Sequence, residues 1–199
     1  MKKIPTLFNR IFENRRIVGI TADITPGCEE AFYNGIATIK VDGSCCAVID
    51  GKFYKRYDAK KGKKPPVGAI PCCDPDPETG HWPHWVEMDR NNPDDKWFWK
   101  AYDESVLQYR HDDEPWKYEY PGDGTYEAVG KHFNGNPYKM DFDMLYSHGM
   151  EEREVPRTFE GVREWLKTNR DEGLVFWLNG EPVCKIKRTD FGYSWPIKE

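Results

Sequence analysis

No long apolar run occurs in this sequence. Leu174–Leu178 is as long as any, at five residues, against the roughly 20 a helix needs to cross a bilayer, so no membrane span is expected. The opening Met-Lys-Lys-Ile-Pro carries basic residues with no apolar core behind them and does not read as a secretory leader. Internal repeats and low-complexity tails are also missing, which excludes solenoids and disordered chains. Positive charge is in deficit: 29 Lys and Arg stand against 34 Asp and Glu, a net charge of −5. That balance argues against a protein that coats nucleic acid through bulk charge. What the chain does have is 199 residues, 38% hydrophobic and 15% aromatic, with eight Trp. This is enough to bury a core without disulfides or metals, and it reads as one domain, 1–199.

The net charge conceals a segregation. Lys52–Lys64 holds seven positive residues and one negative, +6, leaving −11 for the rest. Asp74–Asp123 holds 14 acidic and five basic residues, and the surrounding stretch 72–123, rich in Trp and Pro, is a candidate inserted lobe. Cysteines number six, with adjacent pairs at Cys45-Cys46 and Cys72-Cys73. Neighbours on a strand point to opposite faces, so Cys45 and Cys46 are poorly placed to bond each other. Reduced thiols and a cytoplasmic location are expected. His81 and His84 follow Cys72 and Cys73, and His-x-x-His suits zinc. Adjacent cysteines, however, lack the usual spacing of about two to four residues, which disfavours a structural zinc.

Residues Ala37–Val41, Cys45–Ile49, Lys52–Tyr57 and Thr125–Val129 read as strands. Asp50-Gly51 predicts a two-residue hairpin turn, and Asn179-Gly180 predicts another between Leu174–Leu178 and Val183–Lys187. A helix is predicted around Lys96–Gln108. A second runs from Thr158 to Asn169, with Thr158 as its cap and Phe159, Val162, Trp165 and Leu166 on one face. Mostly strands with a few helices, the order predicts an α+β fold.

Chemistry concentrates in an ordered set of motifs. Lys40-Val41-Asp42-Gly43 lies between two predicted strands, and Arg56 follows at the end of the hairpin. Tyr126-Glu127-x-x-Gly130 comes mid-chain. Glu172-Gly173-Leu174-Val175 opens the late hairpin and Lys185-Ile186-Lys187 closes it. Each residue taken singly is an ordinary surface or strand residue; the order is what distinguishes them. It resembles the covalent nucleotidyltransferase superfamily of ATP-dependent ligases and mRNA capping enzymes. Within it, the chain looks like the small ATP-dependent 5′–3′ RNA ligases that consist of a stand-alone adenylyltransferase domain. Ile24–Glu29, Gly80–Val86 and Asn134–Tyr138 add to the resemblance, which covers roughly residues 20–190.

The resemblance implies two antiparallel β-sheets flanked by helices and no C-terminal OB domain. It implies Lys40 as the nucleophile toward the α-phosphate of ATP, and ATP binding by Ile39, Lys40, Arg56, Glu127, Lys185 and Lys187. A free lysine amine titrates near 10.4 and must be neutral to attack, so neighbouring cations such as Lys185 and Lys187 would assist. They would also neutralise charge on the phosphate. Glu127 suits a ribose hydroxyl, Arg56 a phosphate or ribose oxygen, and Glu172 a Mg²⁺ or Mn²⁺ ion. Strand alternation allows only one of Lys55 and Arg56 to face the site. Gly43 would let the backbone approach the nucleotide, and Asp42 would orient Lys40 or shape the turn. Phe133, Phe142 and Tyr146 are the candidates to stack on adenine. His132 and His148 read as structural or substrate-edge residues. RNA ends are the expected partner, contacted by Lys60, Lys61, Lys63 and Lys64, and a monomer is compatible with everything in the sequence. Two other readings stand beside this one. The chain could be a DNA ligase or capping-type nucleotidyltransferase, or a non-catalytic RNA- or zinc-binding domain.

Overall fold

The computed structural model describes residues 3–14, 16–60, 62–77, 79–109 and 117–197. It contains two compact units, one built from Ile4–Val41 with Gly149–Glu199, the other from Asp42–His148. The first segment gives β1 (Phe8–Glu13), β2 (Arg16–Ile24), α1 (Glu29–Asn34) and β3 (Ile36–Lys40). The middle gives β4 (Ser44–Ile49), β5 (Lys52–Ala59), β6 (Ile70–Pro71), β7 (Trp82–Glu87), α2 (Lys96–Glu104), β8 (Leu107–Tyr109), β9 (Lys117–Glu119), β10 (Gly124–Gly130) and β11 (Asp143–Ser147). The last segment gives α3 (Phe159–Thr168), β12 (Gly173–Leu178) and β13 (Glu181–Lys187), then a 3-10 turn at Arg188–Phe191. Pairings between these strands are antiparallel, and the mixture of sheets and a few helices is α+β.

In the unit formed by the two ends of the chain, β13, β12 and β3 make a three-stranded sheet, and β1 pairs with β2. The β12–β13 turn has φ of 51° at Asn179 and 80° at Gly180. Both central residues of a type I′ turn need positive φ, which Asn and Gly reach at least cost. Alternation then divides the sheet. Ala37, Leu174, Phe176, Cys184 and Ile186 join the core with Leu7, Phe8, Phe32, Val162 and Leu166. Thr38, Lys40, Lys185 and Lys187 take the opposite face by the period of two. Helix α3 starts where Thr158 accepts a hydrogen bond from Gly161 N at 3.1 Å. One turn apart, Val162 and Leu166 are fully buried, each stabilising by about 1.5–3 kcal/mol.

In the Asp42–His148 unit a six-stranded sheet runs β11-β10-β4-β5-β7-β6, and β8 pairs with β9. Asp50 and Gly51 turn β4 into β5 with φ of 50° and 71°. Cys46, Val48, Phe53, Ala128 and Leu145 line the face that packs against Trp97, Phe98, Trp99, Ala101 and Tyr102 of α2. The other face carries Cys45, Ala47, Ile49, Tyr54 and Trp85. Helix α2 is shorter than the sequence predicts. It stops at Glu104, where Ser105 N and Oγ bond back to Ala101 O, and Leu107 opens a strand. Strand β7 lies inside the acidic, Trp-rich stretch, where the sequence shows no strand pattern. Its Pro83 and its mixture of His and Trp hide the period of two.

Candidate functional site

Lys40 closes β3, Glu172 immediately precedes β12, and Lys187 closes β13. Register aligns Gly173 with Lys40 on one side and Lys187 on the other. Glu172 is only 3% exposed and bridges the two lysines, Oε2 at 2.6 Å from Lys40 Nζ and Oε1 at 2.6 Å from Lys187 Nζ. Lys40 Nζ also lies 3.4 Å from Val41 O. A buried carboxylate is costly unless paired, and here each of its oxygens receives an ammonium. The bare carbon of Gly173 permits this approach: a Cβ there would lie 2.2 Å from Ile186 O. Lys185 stands two residues before Lys187 on the same strand face. The side chain of Ile39 shares the opposite face with its partner Leu174, while its backbone N donates to Glu151 O at 3.0 Å. The sequence predicts neighbouring lysines as the field around Lys40; that Glu172 joins Lys40 to Lys187 depends on the register of β3, β12 and β13, which no local motif carries.

Arg56 and Glu127 come together on one face of the six-stranded sheet. Glu127 sits directly across from Cys45 on β4 and from Tyr146 on β11. His148, just past β11, lies 3.2 Å from Glu127 Oε1 through Nε2 and 2.9 Å from Thr125 Oγ1 through Nδ1. Burial, with Glu127 adding to it, pushes the Cys45 thiol up to about 12, and the Arg56 guanidinium beside it works the other way. Burial opposes the Arg56 charge too, but Asp58 and Cys45 outweigh it and raise its pKa. Arg56 Nε donates to Asp58 Oδ1 at 2.9 Å. Alternation selects Arg56 over Lys55. Lys55 pairs with Cys46 on the α2 face and forms an ion pair with buried Asp95. The neighbours Cys45 and His148 were missed as partners of Glu127. The β4–β5 hairpin was readable, but β11 was not.

The turn after Lys40 is held by the motif at Asn134–Tyr138. Asp42 N donates to Tyr138 Oη at 2.7 Å, and Asn134 Nδ2 donates to Asp42 Oδ1 at 2.9 Å and to Gly43 O at 2.6 Å. Asp42 therefore shapes the turn. Gly43 has a reason of its own, since a Cβ there would lie 2.5 Å from Ala128 O. Of the aromatic candidates, Phe133 is buried in the core against Phe98, whereas Phe142 is exposed. His132 stacks on Trp97 with centroids 3.4 Å apart and bonds Asp143 at 2.7 Å, a structural role. Lys60, Lys63 and Lys64 are exposed after β5, and Lys61 lies outside the described residues. His84 is buried with Nδ1 on Trp82 O, and His81 Nε2 lies 3.5 Å from Asp58.

No helix among the described residues is long and apolar enough to cross a membrane. The family model for RNA ligase 1 matches residues 71–199, a stretch that contains Glu127, Glu172, Lys185 and Lys187. Relatives along more of the chain include rat RNA ligase 1, 27% identical over 84% of this chain and 70% of the rat protein. RNA ligase 1 of Pongo abelii and of mouse are each 26% identical over the same shares. With the family model matching well over half of its length, the chain belongs to the RNA ligase 1 family.

Proposed function

We propose that this chain is an ATP-dependent RNA ligase of the nucleotidyltransferase type that carries AMP on Lys40. The supporting observation is the cluster in which buried Glu172 lies 2.6 Å from both Lys40 and Lys187. A lysine at a strand end, with a proton acceptor and a second cation beside it, suits attack on a phosphate. Membership of a family named for RNA ligation supports RNA ends as the substrate.

In the first step neutral Lys40 attacks the α-phosphorus of ATP. A P–N bond forms, the P–O bond to pyrophosphate breaks, and Glu172 accepts a proton from Nζ. Lys187 and Lys185 offset charge on the phosphate oxygens. In the second step AMP passes to an RNA 5′-phosphate, freeing Lys40. In the third a 3′-hydroxyl attacks that activated phosphate and AMP leaves. Displacements of this kind depend on positioning and charge neutralisation more than on covalent help. Glu127 and Arg56 are proposed to hold the ribose and phosphate of ATP. Glu172 is a hard oxygen ligand of the kind Mg²⁺ or Mn²⁺ takes alongside water and nucleotide phosphates, and the ion would supply further charge neutralisation. Each of its oxygens already contacts a lysine Nζ, so an ion there would use the lone pairs that Lys40 and Lys187 leave open.

The test is the intact mass of the purified protein after incubation with ATP and Mg²⁺. An adduct of one AMP is expected on the wild type and none on Lys40→Ala. A wild type that forms no adduct, or an adduct formed from GTP alone, would overturn the reading.

A further inference from the structure

The triad around Glu127 suits a chemistry that the ligation steps do not use. Cys45, Glu127 and His148 each offer a ligand atom, and these atoms all lie within 4.8 Å of one another. The arrangement is built by the sheet. Cys45 and Glu127 are directly opposed across β4 and β10, and opposed residues share a face. His148 is held at the end of β11 by its own N, which donates to Thr125 O at 3.1 Å. Its ring is steered by Thr125 Oγ1, 2.9 Å from Nδ1.

We propose that these three side chains form a binding site for a borderline-soft divalent ion of the zinc class, with one coordination position left open. Thiolate, imidazole and carboxylate together match zinc and cobalt, whereas Mg²⁺ and Ca²⁺ prefer all-oxygen sets. In a tetrahedral zinc site, bonds of about 2.0–2.3 Å place ligand atoms about 3.3–3.8 Å apart. Glu127 and His148, 3.2 Å apart, already meet that spacing, and the thiol has at most about 1.5 Å to close, within the reach of side-chain torsions. Thr125 supplies the orienting contact that ligating histidines use: with Nδ1–H donating to its hydroxyl, Nε2 presents a lone pair. Without an ion the other tautomer serves, Nε2–H donating to Glu127 and the Thr125 hydroxyl donating to Nδ1.

Charge also balances. Cys45 must lose its proton to bind; the ion drives this loss and the proton goes to solvent. A thiolate and a carboxylate then neutralise the divalent ion, and Arg56 stands beside the sulfur. Among the described residues, the charged and titratable groups around the thiol include Arg56 on β5, Glu127 on β10, His148 after β11, Cys46 next to it on β4, and Cys72 in the same apolar cluster. Glu127 is also the residue assigned above to the ribose, so binding is best measured without nucleotide. In that form it stands or falls independently of the ligase reading.

The experiment is titration of the chelator-treated full chain with Co²⁺, followed by displacement with Zn²⁺. One equivalent of Co²⁺ should produce a thiolate-to-cobalt charge-transfer band with the visible bands of a four-coordinate ion, and Zn²⁺ should abolish both. The charge-transfer band should vanish in Cys45→Ser and persist in Cys72→Ser. His148→Ala should weaken Co²⁺ affinity about 100-fold or more, beyond the loss typical of a second-shell change. Absence of the band in the wild type overturns the proposal, and so does a band that survives Cys45→Ser. If Cys45→Ser does not fold, the wild-type band and the His148→Ala affinity decide: unchanged affinity in His148→Ala overturns the site.

Discussion

Asp143 has a side chain with no exposure, and it remains a carboxylate because donors converge on it. His132 donates its backbone N at 3.0 Å, His132 Nδ1 lies at 2.7 Å, and Lys100 Nζ lies at 3.3 Å. Burial alone would raise its pKa; the His132 and Lys100 contacts reverse this and hold it below the ordinary 3.8. A depressed carboxylate pKa stabilises the fold above the unfolded-state value, and that contribution is lost as pH falls through the folded-state value. Asp143→Asn should cost about 2 kcal/mol at neutral pH, the scale of hydrogen bonds to a charged group. Urea denaturation at pH 6 and pH 3 checks it: the gap between wild type and variant should narrow at the lower pH. A gap that does not change with pH would show that Asp143 is not the group responsible. Arg56 teaches a related lesson at the same scale. Alternation in Lys52–Tyr57 shows that only one of Lys55 and Arg56 can share a face with Glu127. Which one does so depends on register across β10, β4 and β5, a long-range property that no local window contains.

Elements were readable where a turn or cap carried its own chemistry. Asp50-Gly51, Asn179-Gly180 and Thr158 each dictate local geometry, and the hairpins and α3 follow from them. Removing the cap by Thr158→Ala should cost about 1 kcal/mol, visible as a small fall in melting temperature. The β1–β2 hairpin was not readable, because bulges between Phe8 and Arg10 and between Ile11 and Phe12 break the period of two. The order of motifs singles out Lys40, Glu172 and Lys187, and the fold brings the three together, whereas their bridging through one carboxylate is not legible in the sequence. That bridge depends on Gly173, whose position against Ile186 O leaves no room for a Cβ. Gly173→Ala forces β12 away from β13 and should destabilise by about 1–3 kcal/mol. It should also slow AMP loading of the folded fraction, because Lys40 and Lys187 flank the same residue. Adduct formation per folded molecule at wild-type rate would show that the bridge does not matter to the chemistry.

For the molecule as a whole, the net charge of −5 is the sum of opposed regions, and only one of them is suited to a polyanion. The stretch after β5 presents Lys60, Lys63 and Lys64 to solvent, and Lys63 N donates to Lys60 O at 2.9 Å, so the chain turns there with its lysines exposed. Exposed lysines gain little from each other, and like charges so close together repel. An RNA backbone relieves that repulsion by exchanging its condensed counterions for ammonium groups. Each phosphate so neutralised adds about −0.7 to the slope of log affinity against log salt on a single strand. Replacing Lys60, Lys61, Lys63 and Lys64 together with Gln should therefore flatten the salt dependence of RNA binding by about 2–3. End joining should weaken most at low salt, where the lost contacts matter most. In the mechanism proposed above, AMP loading on Lys40 should stay within about twofold of wild type, because that step involves no RNA and the phosphates of ATP are assigned to other residues. Filter binding of a 5′-phosphorylated oligoribonucleotide across salt concentrations, with adduct formation followed in parallel, separates the two effects. An unchanged slope with unchanged joining would mean that the RNA is held elsewhere and that this basic stretch is only a solvated loop.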